Sequence, residues 1–264
     1  MKKVKIILFV LVCLATSLLS AGQQVKVEAK NKKGFLYFGF GSNLSFYTPS
    51  DIHVRSSGTP SYDFTLYNVR AKDDGGIKFN NGGAPQYTYQ IGYYFSNKKF
   101  GVEFNFDHVK YFVTPNQVVR LKGTIDNKQY DTDTSLTADF FKFEHSDGAN
   151  YALFSFVKLF TLSQSKNGKN TLDLITKAGI GPVIPKTNST IMGKHYDDQY
   201  KVSGYVVALE GGLRYNFLKN FYIAPTLKGA YANYNRFLVA DGTGNQKWMG
   251  LHFMLVVGGQ LNFK

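Results

Sequence analysis

Residues 250–263 read GLHFMLVVGGQLNF, and splitting them by parity decides the fold. Leu251, Phe253, Leu255, Val257, Gly259, Leu261 and Phe263 fall on one face, and Gly250, His252, Met254, Val256, Gly258, Gln260 and Asn262 on the other. A period of two sustained over this length is a β-strand. One face is almost wholly apolar, while the other mixes small and polar residues. That is the pattern of a strand standing between lipid and a lumen, for which roughly 9 to 11 residues suffice to cross a bilayer.

The same register recurs upstream. Tyr205, Val207, Leu209, Gly211, Leu213, Tyr215 and Phe217 oppose Ala208, Glu210, Gly212, Arg214 and Asn216. After the tight turn Leu218-Lys219-Asn220, Phe221, Ile223, Leu227, Gly229 and Tyr231 face outward and Tyr222, Ala224, Thr226, Lys228 and Ala230 inward. Pro225 cannot donate to a ladder, so a bulge is expected there. Leu172, Leu174, Ala178 and Ile180 alternate with Asp173, Lys177, Gly179 and Gly181. A hairpin over Gln86 to Phe112 turns at Ser96-Asn97-Lys98-Lys99, with Tyr87, Tyr89, Ile91, Tyr93 and Phe95 outward on one arm. On its other arm Val102, Phe104 and Phe106 oppose Glu103, Asn105 and Asp107. Phe35 to Tyr47 is the first strand, with Leu36, Phe38, Phe40 and Leu44 on its apolar side. Tyr151 to Phe160 is a strand whose faces the sequence leaves unassigned, because Lys158 shares a face with Phe154 and Phe156 while Leu153, Val157 and Leu159 share the other.

Eight strands result, and an even count puts both barrel ends on the periplasmic side. Short connections fall near 97, 161–170 and 218, and long ones at 48–85, 113–148, 184–201 and 236–247, which should face outside the cell. Within the second long connection, Gln117 to Ile125 with Asn127-Lys128-Gln129-Tyr130 reads as a hairpin.

The chain begins with Lys2, Lys3 and Lys5 ahead of an apolar run from Ile6 to Leu19. That run is shorter than the ~20 residues of a membrane-spanning helix, and Ser20, Ala21 and Gly22 supply a peptidase site. Residues 1–21 are thus expected to be a signal peptide cleaved after Ala21 or Gly22, and 22–33 a basic periplasmic lead-in. Residues 34–264 then form a single barrel domain. Cys13 lies inside the apolar run behind Val12, which does not suit lipidation, and no cysteine remains after cleavage. Disulfides, thiolate metal sites and a cysteine nucleophile are excluded. With 23 Phe, 18 Tyr and 26 Gly against 7 Pro, the composition favours strands and barrel corners over helices. The formal charge of +13 drops to +10 without the three leader lysines, a balance suited to anionic headgroups and lipopolysaccharide phosphates.

The leader, the alternating aromatic strands and the near-terminal Phe263 resemble the small eight-stranded outer-membrane β-barrels of Gram-negative bacteria. The resemblance covers residues 34–264. It implies an all-β, eight-stranded antiparallel up-and-down transmembrane barrel in the cell outer membrane, with long extracellular loops. It also implies membrane lipid and lipopolysaccharide as neighbours, and the barrel assembly machinery as a partner reading Phe263. That family usually ends on an aromatic residue, whereas Lys264 follows Phe263 here. Its members include adhesins, small-molecule channels and lipid-modifying enzymes, so the likeness is architectural.

Two constellations could carry chemistry. The register projects Glu103, Asp107, Asp173, Lys177, Glu210, Arg214 and Lys228 into the lumen. An eight-stranded barrel has room only for its own side chains, so these opposite charges are expected to neutralise one another rather than line a pore. The second constellation is Glu144-His145-Ser146-Asp147, a base, a hydroxyl and carboxylates at the rim. Lipid A deacylase barrels act at that level through a Ser-His-acid set. On a strand, however, His145 and Ser146 point to opposite faces, so catalysis would need a turn at Ser146 or a base such as His108 or His252. The bland alternative is a loop-to-strand turn built on Asp147-Gly148. The histidines at 53, 108, 145, 195 and 252 lack ligand spacing, which predicts no metal, and His195 with Asp197 and Asp198 reads as a solvated loop. No cofactor or nucleic-acid motif is present. The sequence therefore favours a non-enzymatic surface barrel with an envelope-structural or surface-binding role through its outer loops. The alternatives are a deacylase-like lipid A enzyme and a narrow channel.

Overall fold

The computed structural model describes residues 34–73, 85–96 and 99–263. The leader 1–21 and the lead-in 22–33 lie outside the described residues, as does the centre of the turn at 97–98. The strands are β1 (Phe35–Tyr47), β2 (Ser50–Ser56), β3 (Tyr62–Val69), β4 (Ala71–Lys72), β5 (Tyr87–Tyr94) and β6 (Phe100–His108). There follow β7 (Tyr111–Val113), β8 (Val118–Ile125), β9 (Lys128–Ser135), β10 (Phe141–His145), β11 (Tyr151–Gln164) and β12 (Thr171–Pro182). The last are β13 (Lys186–Ile191), β14 (Lys194–Tyr200), β15 (Gly204–Phe217), β16 (Phe221–Val239) and β17 (Gly242–Asn262).

Eight of these close on themselves in the order β1-β5-β6-β11-β12-β15-β16-β17, with β17 pairing back to β1. Closure leaves no free edge within this ring, which is what lipid demands of a spanning sheet. All ring neighbours are antiparallel. The outward residues are apolar and exposed: Phe38, Phe40, Phe154, Phe156, Ile180, Leu209, Leu213, Phe253, Leu255 and Val257 among them. A soluble monomer does not present an apolar surface of this extent to water. Aromatic residues gather at both ends of the band. Phe95, Phe100, Tyr215, Phe221 and Phe263 lie at the short-turn end, and Phe46, Tyr89, Tyr205 and Tyr231 at the long-connection end.

β11 resolves the ambiguity in its sequence: Leu153, Val157 and Leu159 are buried in the lumen and Phe154 and Phe156 face outward. Lys158 is therefore on the lipid side, where its Nζ lies 5.0 Å from the Phe100 ring centroid and 4.5 Å from that of Phe160. A flexible stem lets such a lysine reach the interface near the short-turn end. Around Pro225 the expected bulge is absent. The register of β15 with β16 is the same on either side of it. Pro225 instead pairs with Leu255 of β17. The bulge lies at Arg236, between Asn235 and Phe237, where φ is 61°.

β16 and β17 run to 19 and 21 residues, about twice what a bilayer needs, so their upper halves stand clear of the membrane. The reason β17 keeps a partner there is the bend at Thr48-Pro49. β1 pairs with β17 up to Tyr47↔Gly250, the chain turns, and β2 takes over the same edge from Ile52↔Gln246. Thr48 holds the corner: its N–H donates to the Met249 carbonyl at 2.9 Å and its Oγ1 accepts the Met249 N–H at 3.1 Å. β3, β8 and β9 then extend this sheet, and β8–β9 is the hairpin expected from the sequence, turning through Asp126 and Asn127 at φ 45° and 63°. A second sheet, ordered β14-β13-β10-β7-β4, packs on the inner face of the first. The stretch read as a solvated loop around His195 is thus the hairpin β13–β14. The long connections form a folded β head on the barrel.

The head has its own core. Trp248 is stacked between Tyr111 and Tyr234, with ring centroids 4.4 and 4.3 Å away, and its Nε1 donates to the Tyr151 hydroxyl at 3.1 Å. Phe64, Phe141, Phe143 and Phe237 are buried around it. Replacing this indole by a methyl removes both stacks, so Trp248→Ala should cost about 3–5 kcal/mol. In limited proteolysis of refolded protein, the head of the variant is expected to be cleaved while the barrel retains its folded, heat-modifiable gel mobility.

Candidate functional site

Inward registers bring five of the seven lumen charges into one chain of ion pairs. Lys177 Nζ lies 2.8 Å from Glu103 Oε1 and 3.1 Å from Glu210 Oε1. Lys228 Nζ lies 3.2 Å from Glu210 Oε2 and 2.6 Å from Asp107 Oδ2. All five are buried. Neutral donors fill the remaining lone pairs: Tyr37 and Thr226 hydroxyls donate to Glu103 and Glu210, and Thr88 and the Asn105 amide to Asp107. A buried carboxylate so surrounded is satisfied.

Arg214 and Asp173 are not members of this chain. Arg214 lies against Tyr222, its Cζ 3.8 Å from the ring centroid, with Tyr37 and Tyr94 at 5.1 and 5.6 Å. Asp173 accepts from Thr161, Thr171 and Asn216, and Asn216 in turn accepts from Arg214 Nε, so an amide separates the opposite charges. The aromatic layer lies toward the short-turn end of the lumen. Gly92 and Gly258 make room for it, since a Cβ on either would run into the Tyr37 or Tyr222 ring.

At the rim β10 ends at His145, and the chain turns through Ser146 and Asp147, with the Gly148 N–H donating to the His145 carbonyl at 3.2 Å. His145 is fully buried in the head core, stacked 5.3 Å from Tyr234, with Nδ1 3.1 Å from Thr187 Oγ1. Burial alone pulls its pKa down to about 3, so the imidazole is neutral. Ser146 lies on the other face with Glu144, whose carboxyl burial pushes up. Asp147 holds Lys186 at 2.7 Å, and that ammonium also meets Asp197 at 3.1 Å. The two alternative bases are likewise tied down. His108 Nδ1 meets Asn150 Oδ1 at 2.9 Å beneath Tyr87, and His252 Nδ1 meets Ser45 Oγ at 2.8 Å. Ser45 with His252 is a hydroxyl-imidazole pair on neighbouring strands, but both residues are buried in the barrel interior.

A feature the sequence reading missed lies on the outer face of the head. His53, Arg55, Arg236, Thr243 and Asn245 line an open cleft of about 320 Å³. His53 is clasped on both ring nitrogens, with Asp63 Oδ1 2.7 Å from Nε2 and Asn245 Nδ2 3.1 Å from Nδ1. Extending the parity of residues 250–263 backward would have put Lys247, Asn245 and Thr243 on this face. The partners on β2 could not have been placed that way, because they depend on the corner at Pro49.

A closed eight-stranded barrel with an exposed apolar belt, two aromatic rims and a filled interior is an outer-membrane β-barrel, and the protein resides in the outer membrane. No family model matches the chain, and no curated protein matches it. Among solved structures it is similar to the outer membrane protease OmpT from Escherichia coli, at 8% identity over 90% of this chain and 99% of that one, with a TM-score of 0.37. OprG from Pseudomonas aeruginosa matches at 11% identity over 90% and 100% of the two chains, with a TM-score of 0.34. The attachment invasion locus protein Ail of Yersinia pestis, in complex with the heparin analogue sucrose octasulfate, matches at 13% over 84% and 99%, with a TM-score of 0.27. At these values the likeness is of general architecture, and the class rests on strand closure and the outward belt.

Removing Lys177 leaves Glu103 and Glu210 buried without their shared cation, so Lys177→Met should cost about 3–5 kcal/mol. Denaturant unfolding in lipid vesicles measures this, and the triple change Glu103→Gln, Lys177→Met, Glu210→Gln should recover most of the loss. His145 gives a pH dependence of definite sign. Unfolded, it titrates near 6.5; folded, near 3, so between these values the unfolded state binds the extra proton. Stability should fall as pH drops through that window, and the thermal midpoint of His145→Phe should fall less steeply than that of the parent.

Proposed function

We propose that this protein is a closed, non-conducting barrel that holds a rigid β head outside the cell, with an envelope-structural or surface-binding role rather than an enzymatic one. The observation that carries this reading is the filled lumen. The aromatic layer around Arg214, the ion-pair chain and the head core succeed one another along it. The orientation follows from connection length, since short turns of such barrels face the periplasm and long connections the outside. The leader 1–21 would direct export, and Phe263, exposed beside Tyr93, is the residue offered to the barrel assembly machinery.

Two further observations favour a binding role over the deacylase-like one. His145 is buried in the head core, and the Ser45–His252 pair is buried in the barrel interior. Refolded protein in planar bilayers should give no conductance steps, and discrete steps would reinstate the channel. Cells carrying His145→Ala should keep the parental lipid A acylation pattern, and a changed pattern would reinstate the enzyme.

A further inference from the structure

Positive charge is distributed unevenly along the barrel axis. In the head, exposed cations are interleaved with carboxylates: Arg120 reaches Asp131 and Asp133, Lys186 reaches Asp147 and Asp197, and Lys194 reaches Asp241. At the short-turn end this interleaving is absent among the described residues. Lys99, Lys158, Lys166, Lys169 and Lys219 stand there, and across 95–101, 158–173, 215–222 and 258–263 the one carboxylate is Asp173. That carboxylate is buried, with its oxygens taken by Thr161, Thr171 and Asn216. The short-turn rim is therefore cationic without an acid of its own.

Backbone and aromatic contacts hold these lysines in place. Lys158 stands on the lipid-facing parity of β11, its Nζ 5.0 Å from the Phe100 ring centroid and 4.5 Å from that of Phe160. Lys99 precedes Phe100, and its carbonyl accepts the Leu159 N–H at 2.8 Å. In the turn at 165–170, Ser165 Oγ donates to Asn167 Oδ1 at 2.7 Å and accepts the Asn170 N–H at 3.0 Å, while Asn167 Oδ1 accepts the Lys169 N–H at 3.0 Å. Lys219 sits between Phe217 and Phe221. Its N–H donates to the Lys169 carbonyl at 3.1 Å, and its own carbonyl accepts from Gln260 Nε2 at 2.7 Å, so the two turns are tied together. Lys166, Lys169 and Lys219 are exposed, and among the described residues their ammonium groups have no ion-pair or hydrogen-bond partner. Lysines beside the outward aromatic residues of a rim stand at the depth of phospholipid phosphates.

We propose that the short-turn rim from β6 to β16 binds anionic phospholipid of the periplasmic leaflet, in preference to zwitterionic phospholipid. Phosphate oxygens meet Lys158, Lys169 and Lys219, and acyl chains lie on outward residues such as Phe156 and Leu213. The preference follows from the missing acid. A zwitterionic headgroup carries an ammonium beside its phosphate, and that ammonium needs a carboxylate. This rim offers none and repels it with lysines. Continuity with the apolar belt selects a membrane-anchored phosphate over a free one. The choice of leaflet rests on the orientation given above, with short turns facing the periplasm.

The test uses full-length protein refolded in non-ionic detergent and titrated with an equimolar mixture of phosphatidylglycerol and phosphatidylethanolamine of matched acyl chains. Bound lipid is counted by native mass spectrometry. A lysine at an anionic headgroup is worth a few-fold, so phosphatidylglycerol should be retained about tenfold over phosphatidylethanolamine. In the triple variant Lys158→Gln, Lys169→Gln, Lys219→Asn the preference should fall to within about twofold. Asn is used at 219 because φ there is 68° and Asn tolerates positive φ. The charge-conserving triple Lys158→Arg, Lys169→Arg, Lys219→Arg should keep the preference, and so should Lys122→Gln with Lys128→Gln on β8–β9. Heat-modifiable gel mobility verifies that each variant has folded. Equal retention of the two lipids by the parent, an unchanged preference in the first triple variant, or full displacement by millimolar inorganic phosphate or a soluble muropeptide would each overturn the proposal. Orientation is checked separately with Lys166→Cys, the chain having no cysteine beyond Cys13. A membrane-impermeant maleimide should not label it on intact cells. Labelling alongside an intact lipid preference in detergent would refute the periplasmic placement of the short turns and leave the headgroup selectivity standing.

Discussion

Closing eight strands into a ring leaves a bore that only side chains can fill, and everything else in this protein answers to that constraint. Lipid outside requires apolar residues on one parity of every spanning strand, so the opposite parity must supply all the filling. Where that filling is charged, each charge needs a partner within the bore. Glu103, Lys177, Glu210, Lys228 and Asp107 meet the requirement as an unbroken chain drawn from four different strands, β6, β12, β15 and β16. Because every member is shared or capped by a neutral donor, the chain also specifies which strands lie opposite one another across the lumen.

The layers on either side of the ion pairs follow from the same logic. Toward the short turns, large rings cover Arg214, and glycines on neighbouring strands provide the depth that the rings need. Toward the long connections, the bore gives way to a hydrophobic core shared by two sheets. That core is centred on Trp248, which belongs to the strand that also closes the barrel. The head is therefore a continuation of the barrel wall rather than a set of loops resting on it.

Imidazoles illustrate how tertiary placement governs chemistry. His145, His108 and His252 lie near hydroxyls or carboxylates in sequence or in space, yet each is buried with one ring nitrogen committed to a neighbour. His53 alone among the described bonded histidines of the head's outer face has a carboxylate on one nitrogen and an amide on the other, which makes it a clasp between β2, β3 and β17.

Parity determined the faces of seven of the eight spanning strands and the inward charges, because a pleated strand alternates strictly between lipid and lumen. Gly250 to Phe263 and Gly204 to Phe217 are legible for that reason. Parity failed where its premise failed. β11 buries Leu153, Val157 and Leu159 because its lumen side meets the two hydrophobic layers rather than the ion pairs. The bulge sits at Arg236 and not at Pro225, because Pro225 lies where a missing N–H does not shift the ladder. Which charges pair, how the long connections fold into two sheets, and the cleft beside β17 were decided only in three dimensions. Each depends on contacts between strands far apart in the chain, and on a corner at Thr48-Pro49 whose direction no local pattern encodes.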